Sequence, residues 1–519
     1  MNGKIPPGPS TPPTSALHAG APSTGARSAS EAATSGFVFV LLYLPFGLAW
    51  ALSVVPTLSY LVAWAGSIWI LVLTISGTVK PLPSDRSTFD QVMRPIILTQ
   101  IIFVFYNFVT SIFMFIDIHG YYYFSKVSMM PVSESLIQLT AEAQRYYVLA
   151  HAGVATGMLL FMDYRKGGEW VVRPMRNPVT FLLLLSGGGF ATAAFLGGGL
   201  SQIAERASQV GLVASVLALS LAIPTRQTGL LLVSGTVYGL NMMDAFLSGF
   251  KENVLVMLML AAIFMYPHAK KTVTVMGPLI LIGALIILPT FANVFRSQNW
   301  YGTASKEEAA TTALETIQSG EQDMWATNWD FLTGRISEIG LFTRYLASLH
   351  TTGQHYGTAI LSQTASSIIP RTFWPDKPVT ERVVMERVYD NGIVSRASDV
   401  SAKPQYVVDG YLSFGGWGVL LAGLVFGIVA GTASQVCERF FGGYFWGTGL
   451  VYTSFFVVLW KGNAFEYFFN TLIWGFVLLI PLFYLARSTG ILIRRDTAAT
   501  SAPTADVAAG RMRAFWAPQ

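Results

Sequence analysis

Long apolar stretches separated by short polar ones dominate the chain from residue 36 onward. A helix needs about 20 mostly apolar residues to cross the hydrocarbon core of a bilayer, and the pattern predicts about twelve such helices, with 11–13 as the range. One stretch is short and the first two are nearly continuous. The predicted spans are 36–55, 57–79, 95–118, 145–163, 179–199, 207–224, 228–247, 253–268, 272–292, 412–436, 444–461 and 466–486.

The same pattern divides the chain into five parts. Residues 1–35 are rich in Pro, Ala, Ser, Thr and Gly, and such a composition buries too little apolar surface to offset ordering entropy. We predict a disordered cytoplasmic tail there, spans one to nine in 36–292, a large periplasmic loop in 293–411, three further spans in 412–487 and a cytoplasmic tail in 488–519. The fold class is therefore an all-α polytopic membrane protein with one large, partly helical external loop.

Composition supports a membrane protein and excludes several other classes. The chain is 52% hydrophobic and 12% charged, whereas soluble domains carry about 25% charged residues. The formal net charge of +5 is small and scattered, so no nucleic-acid partner is expected. A single cysteine, Cys437, and six histidines without metal-ligand spacing predict neither an internal disulfide nor a metal site.

The distribution of cations among the short loops predicts the orientation. Lys and Arg in short loops are retained in the cytoplasm, and the twelve-span assignment collects most of them on the side of both termini. The long segment 293–411 then lies outside. The cations on the side of the termini are Lys80, Arg86, Arg94, Arg165, Lys166, Arg173, Arg176, Arg226, Lys270, Lys271, Arg439, Arg487, Arg494 and Arg495.

An amphipathic pattern begins at Trp329 in the long segment. Its apolar residues recur at spacings of three and four, which predicts one apolar stripe on a helix. Such a helix either lies in the plane of the bilayer surface or caps the external mouth of the bundle. Arg335 and Glu338 would share one face of this helix, where they could simply pair. The stripe consists of Leu332, Ile336, Ile339, Phe342, Leu346 and Leu349.

Several cations near the external boundary are candidates for binding a phosphorylated ligand. Arg335 lies on the predicted helix, and Lys251 stands at an external membrane edge, where it could alternatively pair with Glu252. Residues 367–378 contain three prolines, which exclude a helix and would hold Arg371 and Lys377 in a stiff loop. Arginine offers a bidentate fork to phosphate, and lysine a point charge.

Candidate aromatic residues and bases lie in the same segment. Trp374 is interleaved with the cations of the proline-rich loop and suits a sugar-bearing ligand, although it could simply anchor the loop. Tyr356 is the second candidate for sugar contact. Histidine titrates near neutrality, so His355 is the first candidate base and His350 the second. Glu338 and Asp409 are the alternatives.

The motifs of the C-terminal half resemble the Wzy-type polysaccharide polymerases, the family that joins oligosaccharide repeat units. The resemblance lies in about a dozen spans with one large, late external loop and in four short motifs. One departure is Phe250-Lys251, where members of the family often have Ser-Arg. The motifs are Gly334-Arg335, Tyr356-Gly357, the run Pro370 to Pro378, and Phe414, Gly415 and Gly418.

This resemblance implies a C-type glycosyltransferase of the bacterial inner membrane, working without cofactor or metal on undecaprenyl-diphosphate-linked oligosaccharides. Arg335, Arg371, Lys377 and Lys251 would hold the diphosphate, and the base would be one of the four residues above. A chain-length regulator is a possible protein partner. Three alternatives stay open: an O-antigen ligase with the same donor, a polysaccharide or lipid transporter, and a receptor or scaffold.

Overall fold

The computed structural model describes residues 36–164, 168–195, 201–369, 373–397 and 401–495. The predicted tail 1–35 and residues 496–519 lie outside these ranges. The helices of the described residues, numbered α1 to α17, are Val40–Ala51, Pro56–Ile75, Pro95–Asp117, Glu134–Phe161, Pro178–Phe195, Ser201–Thr225, Thr228–Leu247, Lys251–Met265, Lys270–Asn299, Lys306–Ser319, Met324–Gly334, Ile339–Thr352, Ala359–Ile368, Thr380–Asp390, Tyr406–Phe440, Tyr444–Leu459 and Phe465–Ser488.

A helix coincides with each predicted span, but not every one has the length and apolarity of a membrane-spanning helix. Within the described residues, eight helices meet both conditions: α2, α3, α5, α6, α7, α9, α15 and α17. Two shorter apolar helices accompany them. One is Gly36–Ala51, which contains α1, and the other is α16, Tyr444–Leu459. The described residues thus form a mostly helical fold with several helices that could span a membrane, and the count of twelve remains a prediction.

Contacts between loops define two ends of the helix bundle. Strand β3 (Trp170–Val172) pairs antiparallel with β4 (Leu492–Arg494), and Arg94 forms ion pairs with Asp85 and Glu438. These contacts bring residues 80–94, 168–177, 437–444 and 489–495 to one end, here called the arginine end. The opposite end, which carries 300–369, 373–397 and 401–405 and the hairpin β1 (Tyr121–Tyr122) and β2 (Ser125–Lys126), is the segment end.

The centre of the bundle is the pair α4 and α15, which pack closely through glycines. A Cβ on Gly157 would lie 2.3 Å from the carbonyl oxygen of Leu424, and one on Gly427 would lie 2.1 Å from that of Val154. Small residues at such an interface let two helix backbones approach each other. This packing fixes the position of α15 and of the residues at its outer end.

Helix α15 is interrupted at Phe414 and Gly415, and the long segment fills the interruption. Gly415 has φ 60° and ψ −142°, a conformation that is accessible essentially only to glycine. The break removes the helical partners of the carbonyls just before it. Instead, the amides of Tyr356 and Gly357 donate to the carbonyls of Leu412 and Ser413, at 2.9 and 3.2 Å.

The predicted amphipathic helix from Trp329 is two helices. Helix α11 ends at Gly334 and α12 begins at Ile339, so the four residues between them form a turn. The prediction that Arg335 and Glu338 share a helical face is therefore wrong. Within α12 the stripe is real: Ile339, Phe342 and Leu346 are fully buried, with the Phe342 ring against Tyr147 of α4. The helix caps the bundle instead of lying exposed on a bilayer surface.

Candidate anion-binding site

Three cations from three different elements meet at the segment end. Lys251 is the first residue of α8, Arg296 lies in the last turn of α9, and Arg335 follows the last residue of α11. They are close enough that Arg296 and Arg335 both act electrostatically on Lys251. We call Lys251, Arg296 and Arg335 the cationic cluster.

A tight turn between α7 and α8 holds this cluster in shape. Gly249 has φ 70°, and a Cβ there would lie 2.9 Å from the Phe295 ring, so only glycine fits without strain. The Gly249 carbonyl accepts a hydrogen bond from Arg296 Nε at 3.0 Å. This bond fixes the Arg296 guanidinium next to the start of α8. The two terminal nitrogens of the same guanidinium make no hydrogen bond to the described residues.

No carboxylate among the described residues forms an ion pair with the cationic cluster. The alternative pairing of Lys251 with Glu252 is not formed, because Glu252 pairs with Lys461 at 2.5 Å. Lys251 instead lies over the Phe331 ring, 4.1 Å from its centroid. Burial, followed by the neighbouring Arg296 and Arg335, lowers the pKa of Lys251 to about 8. An anion placed here would relieve this repulsion.

Aromatic side chains surround the cluster. The Arg296 guanidinium lies 4.4 Å from the Trp300 ring centroid, and Phe250 contacts the same Trp300 ring. Phe250, Trp300 and Tyr301 are all exposed. Tryptophan and tyrosine are typical of the level at which a membrane meets water, so the cluster has the surroundings of a site for a lipid headgroup.

Glu338 lies at the far end of the turn that starts with Arg335, and it lines a polar cavity of about 160 Å³. Burial is the main reason that its pKa rises to about 7, and Glu252 adds to the rise while Lys461 opposes it. Such a carboxyl is half-ionised near neutral pH and can exchange a proton there. The remaining lining residues are Ser401, Lys403, Pro404, Gln405, Lys461, Gly462 and Asn463.

The two candidate histidines occupy a different place. His350 Nε2 lies 3.3 Å from Glu142 Oε1, and His355 Nδ1 lies 3.1 Å from the carbonyl oxygen of Tyr411. Both histidines are exposed. His355 lies beside the break in α15, next to the residues that cap this break. No contact between His355 and the cationic cluster is found among the described residues.

Asp409 is fully buried and belongs to an ion network at the outer ends of α15 and α17. Arg387 donates to Asp409 Oδ2 at 2.9 Å and to both oxygens of Glu466 at 2.6 and 2.8 Å. This network fastens α14 to the bundle. Tyr356 supports the same region, since its hydroxyl accepts a hydrogen bond from Asn391 Nδ2 at 3.0 Å.

The proline-rich loop lies at the end of α13, and its predicted ligand Arg371 lies outside the described residues. Lys377 donates to the carbonyls of Ser367 and Ile369, so it holds the end of the helix. Trp374 is 39% exposed and is available for contact with a ligand. Of the four predicted phosphate ligands, the structure therefore brings Lys251 and Arg335 together. Arg296, which was not predicted, lies with them.

Sequence reasoning missed Arg296, Lys461 and Arg387. Arg296 lies just beyond the predicted end of a span, where an arginine is common, and its partners are distant in the chain. The only sequence signal was the pair of turn residues Ser248-Gly249 opposite the Trp300-Tyr301 pair. A larger cavity of about 210 Å³ lies at the arginine end, and its charged residues are Asp163, Glu438 and Arg439. Glu438 is already paired with Arg94, and Arg439 with Glu169.

The described residues therefore form a helical membrane protein whose cationic cluster, at one end of the bundle, has no ion-pair partner among them. A family model described as "Domain of unknown function (DUF8712)" matches residues 44–494. The match covers most of the chain, so the protein belongs to this family. No curated protein and no solved structure matches the chain.

Proposed function

We propose that the protein is a membrane-embedded, metal-independent glycosyltransferase that joins undecaprenyl-diphosphate-linked oligosaccharide units, as a polysaccharide polymerase does. The observation that carries the proposal is the cationic cluster of Lys251, Arg296 and Arg335, which forms no ion pair with the described residues and is bordered by exposed aromatic side chains. Arginine and lysine are the residues that bind phosphate oxygens, and the aromatic border suits a phosphate carried on a lipid.

The reaction needs a group that stabilises the departing diphosphate. The bond between the anomeric carbon and the phosphate oxygen breaks, and the oxygen keeps the electron pair. The cationic cluster would offset this developing negative charge, which is the kind of stabilisation that preorganised charges supply best. Arg371 is an additional candidate for the same role.

The reaction also needs an acceptor for a proton, because a sugar hydroxyl attacks the anomeric carbon as a new glycosidic bond forms. We assign this role to Glu338, since the turn 335–338 joins it to the cationic cluster and its pKa of about 7 suits proton transfer near neutral pH. His355, the first choice from sequence, and then His350 are the alternatives.

The proposed location is the periplasmic face of the bacterial inner membrane, with both termini in the cytoplasm. Two observations support it: the loops rich in Arg and Lys meet at the arginine end, and the long segment with the cationic cluster lies at the segment end. Cations in short loops favour the cytoplasm, so the segment end would face outward.

The broken helix α15 favours a transporter as a second candidate, since discontinuous helices line the binding sites of many transporters. Two observations weigh against it. The carbonyls freed by the break already accept hydrogen bonds from Tyr356 and Gly357. The buried charges Asp409 and Glu466 lie in the first turns of α15 and α17, at the segment end and not at the middle of the bundle.

Deletion of the gene followed by analysis of lipid-linked glycans tests the proposal. A polymerase predicts accumulation of single lipid-linked repeat units, and complementation with Lys251→Ala or Arg335→Ala should not restore polymer. Arg382→Ala, at an exposed arginine of the same segment, should restore it. Full-length polymer that is unattached to its glycolipid would identify a ligase instead, and an unchanged glycan profile would exclude both.

A further inference from the structure

The polar cavity next to Glu338 has the size of a site for a single small group. Its volume of about 160 Å³ is below the roughly 300–1,000 Å³ of pockets that enclose larger ligands. It lies between the turn 335–338, the loop 401–405 that leads into α15, and the loop 461–463 that leads into α17. The walls of the cavity are therefore two loops that precede helices and one turn.

The lining presents hydrogen-bonding groups that the described residues do not use. Gln405 is 4% exposed, and its Oε1 has no hydrogen-bond partner among the described residues. Asn463 Oδ1 accepts from the Ala464 amide at 2.8 Å, which leaves its Nδ2 to donate into the cavity. A buried amide oxygen without a partner is unfavourable, and a ligand hydroxyl would satisfy it.

The charges around the cavity are balanced. Lys403 pairs with Glu381 at 3.1 Å and Lys461 with Glu252 at 2.5 Å, so neither lysine brings an uncompensated positive charge. Glu338 adds a negative charge when it ionises. A carboxylate or phosphate on the ligand would therefore be repelled here, although the cationic cluster nearby attracts one.

We propose that this cavity binds one neutral sugar residue of the acceptor through its hydroxyl or acetamido groups. The inference rests on the proposed function, and it assigns the two ends of the turn 335–338 to two different substrates. Arg335 at the start of the turn belongs to the diphosphate site, and Glu338 at its end belongs to the acceptor site. The acceptor hydroxyl would then lie beside the carboxylate that takes its proton.

Ligand-observed NMR on the purified full-length protein in nanodiscs tests the assignment without requiring turnover. The probes are the neutral methyl glycosides of glucose, galactose, mannose and N-acetylglucosamine, with methyl glucuronide as the anionic comparison. We expect at least one neutral glycoside to bind and the glucuronide to bind more weakly. Stronger binding of the glucuronide, or binding of no glycoside, would overturn the proposal.

Two variants locate the binding. Gln405→Leu removes the unpartnered oxygen, and Asn463→Asp removes the Nδ2 donor while keeping the bond to Ala464. Each should weaken glycoside binding by about tenfold, as expected for one lost hydrogen bond to a buried group, at an unchanged unfolding temperature. Gln318→Leu, an exposed glutamine on α10, is the control. Wild-type binding by both variants would exclude the cavity.

The same preparations separate this proposal from the proposed function. Glycoside binding at the cavity without any transfer from a lipid-diphosphate donor would overturn the glycosyltransferase and leave the sugar site in place. Transfer that survives in both variants with an unchanged acceptor KM would overturn the cavity assignment and leave the glycosyltransferase in place.

Discussion

At the scale of single residues, Glu338 and Lys251 are the two candidate site residues whose shifted pKa values bear on the proposed reaction. Burial raises the pKa of Glu338 to about 7 and lowers that of Lys251 to about 8. Between these two values both groups carry their functional charge: the carboxylate is ionised and the ammonium is protonated. Strongly shifted pKa values are typical of functional sites.

The pKa of Glu338 predicts the pH dependence of turnover. The carboxylate is the active form of a base, so turnover should rise as the pH increases from 6 to 8 through the pKa of about 7. Glu338→Gln should reduce turnover by about 10²–10⁴-fold and remove this rise, and Glu307→Gln on α10 should change neither. A Glu338→Gln enzyme with the wild-type pH profile would transfer the role to His355 or His350.

Lys251 predicts a second pH effect, on binding and not on turnover. Its charge is lost as the pH rises through about 8, so affinity for geranyl diphosphate, a short lipid diphosphate, should fall between pH 7 and 9. Lys251→Arg should retain affinity to pH 9, because a guanidinium does not titrate there. Calorimetry measures the affinity of the wild-type protein and of Lys251→Arg at each pH, with Lys126→Arg as the control. Equal affinities at pH 7 and 9 in the wild-type protein would separate Lys251 from the site.

At the scale of elements, the break in α15 and its cap are the feature that ties the long segment to the bundle. Three consecutive carbonyls, those of Tyr411, Leu412 and Ser413, are contacted by His355, Tyr356 and Gly357. A helix break buried without partners would be unfavourable. The segment therefore completes the helix, and the helix in turn fixes the segment.

Gly415→Ala tests this mutual dependence. Alanine disfavours the backbone conformation at this position, so we expect destabilisation of about 1–3 kcal/mol and faster hydrogen exchange of the Tyr356 and Gly357 amides. Gly235→Ala is the matched control, since an added Cβ meets nothing within 4 Å there. If exchange at residues 356–357 is as slow in Gly415→Ala as in the control, the cap does not depend on the break.

At the scale of the whole molecule, the arrangement of loops predicts the topology. A Ser305→Cys substitution at the segment end and a Ser84→Cys substitution at the arginine end can be compared in a Cys437→Ser background. A membrane-impermeant maleimide should label position 305 in intact spheroplasts and position 84 only after lysis, if the long segment is periplasmic. The reverse pattern would invert the topology and contradict the proposed reaction.

The sequence predicted the helices well because apolar runs and their spacing are local signals. It also selected Lys251 and Arg335 as candidate phosphate ligands, and the structure places these two cations together. It could not predict that Arg296 completes the cationic cluster, because that contact depends on the turn at Gly249. The split of the Trp329 helix was also missed, since an apolar stripe continues across the turn at 335–338 and conceals it.

If the cationic cluster holds a lipid diphosphate while a sugar is transferred from it, removal of its three charges should stop the transfer. The most direct measurement is turnover of a synthetic undecaprenyl-diphosphate-linked repeat unit by the purified protein, compared between wild type and Lys251→Ala/Arg296→Ala/Arg335→Ala. We expect products of two or more repeat units and release of the lipid diphosphate by the wild type, and neither by the folded variant. Equal turnover by the two proteins, or none by the wild type, would contradict it.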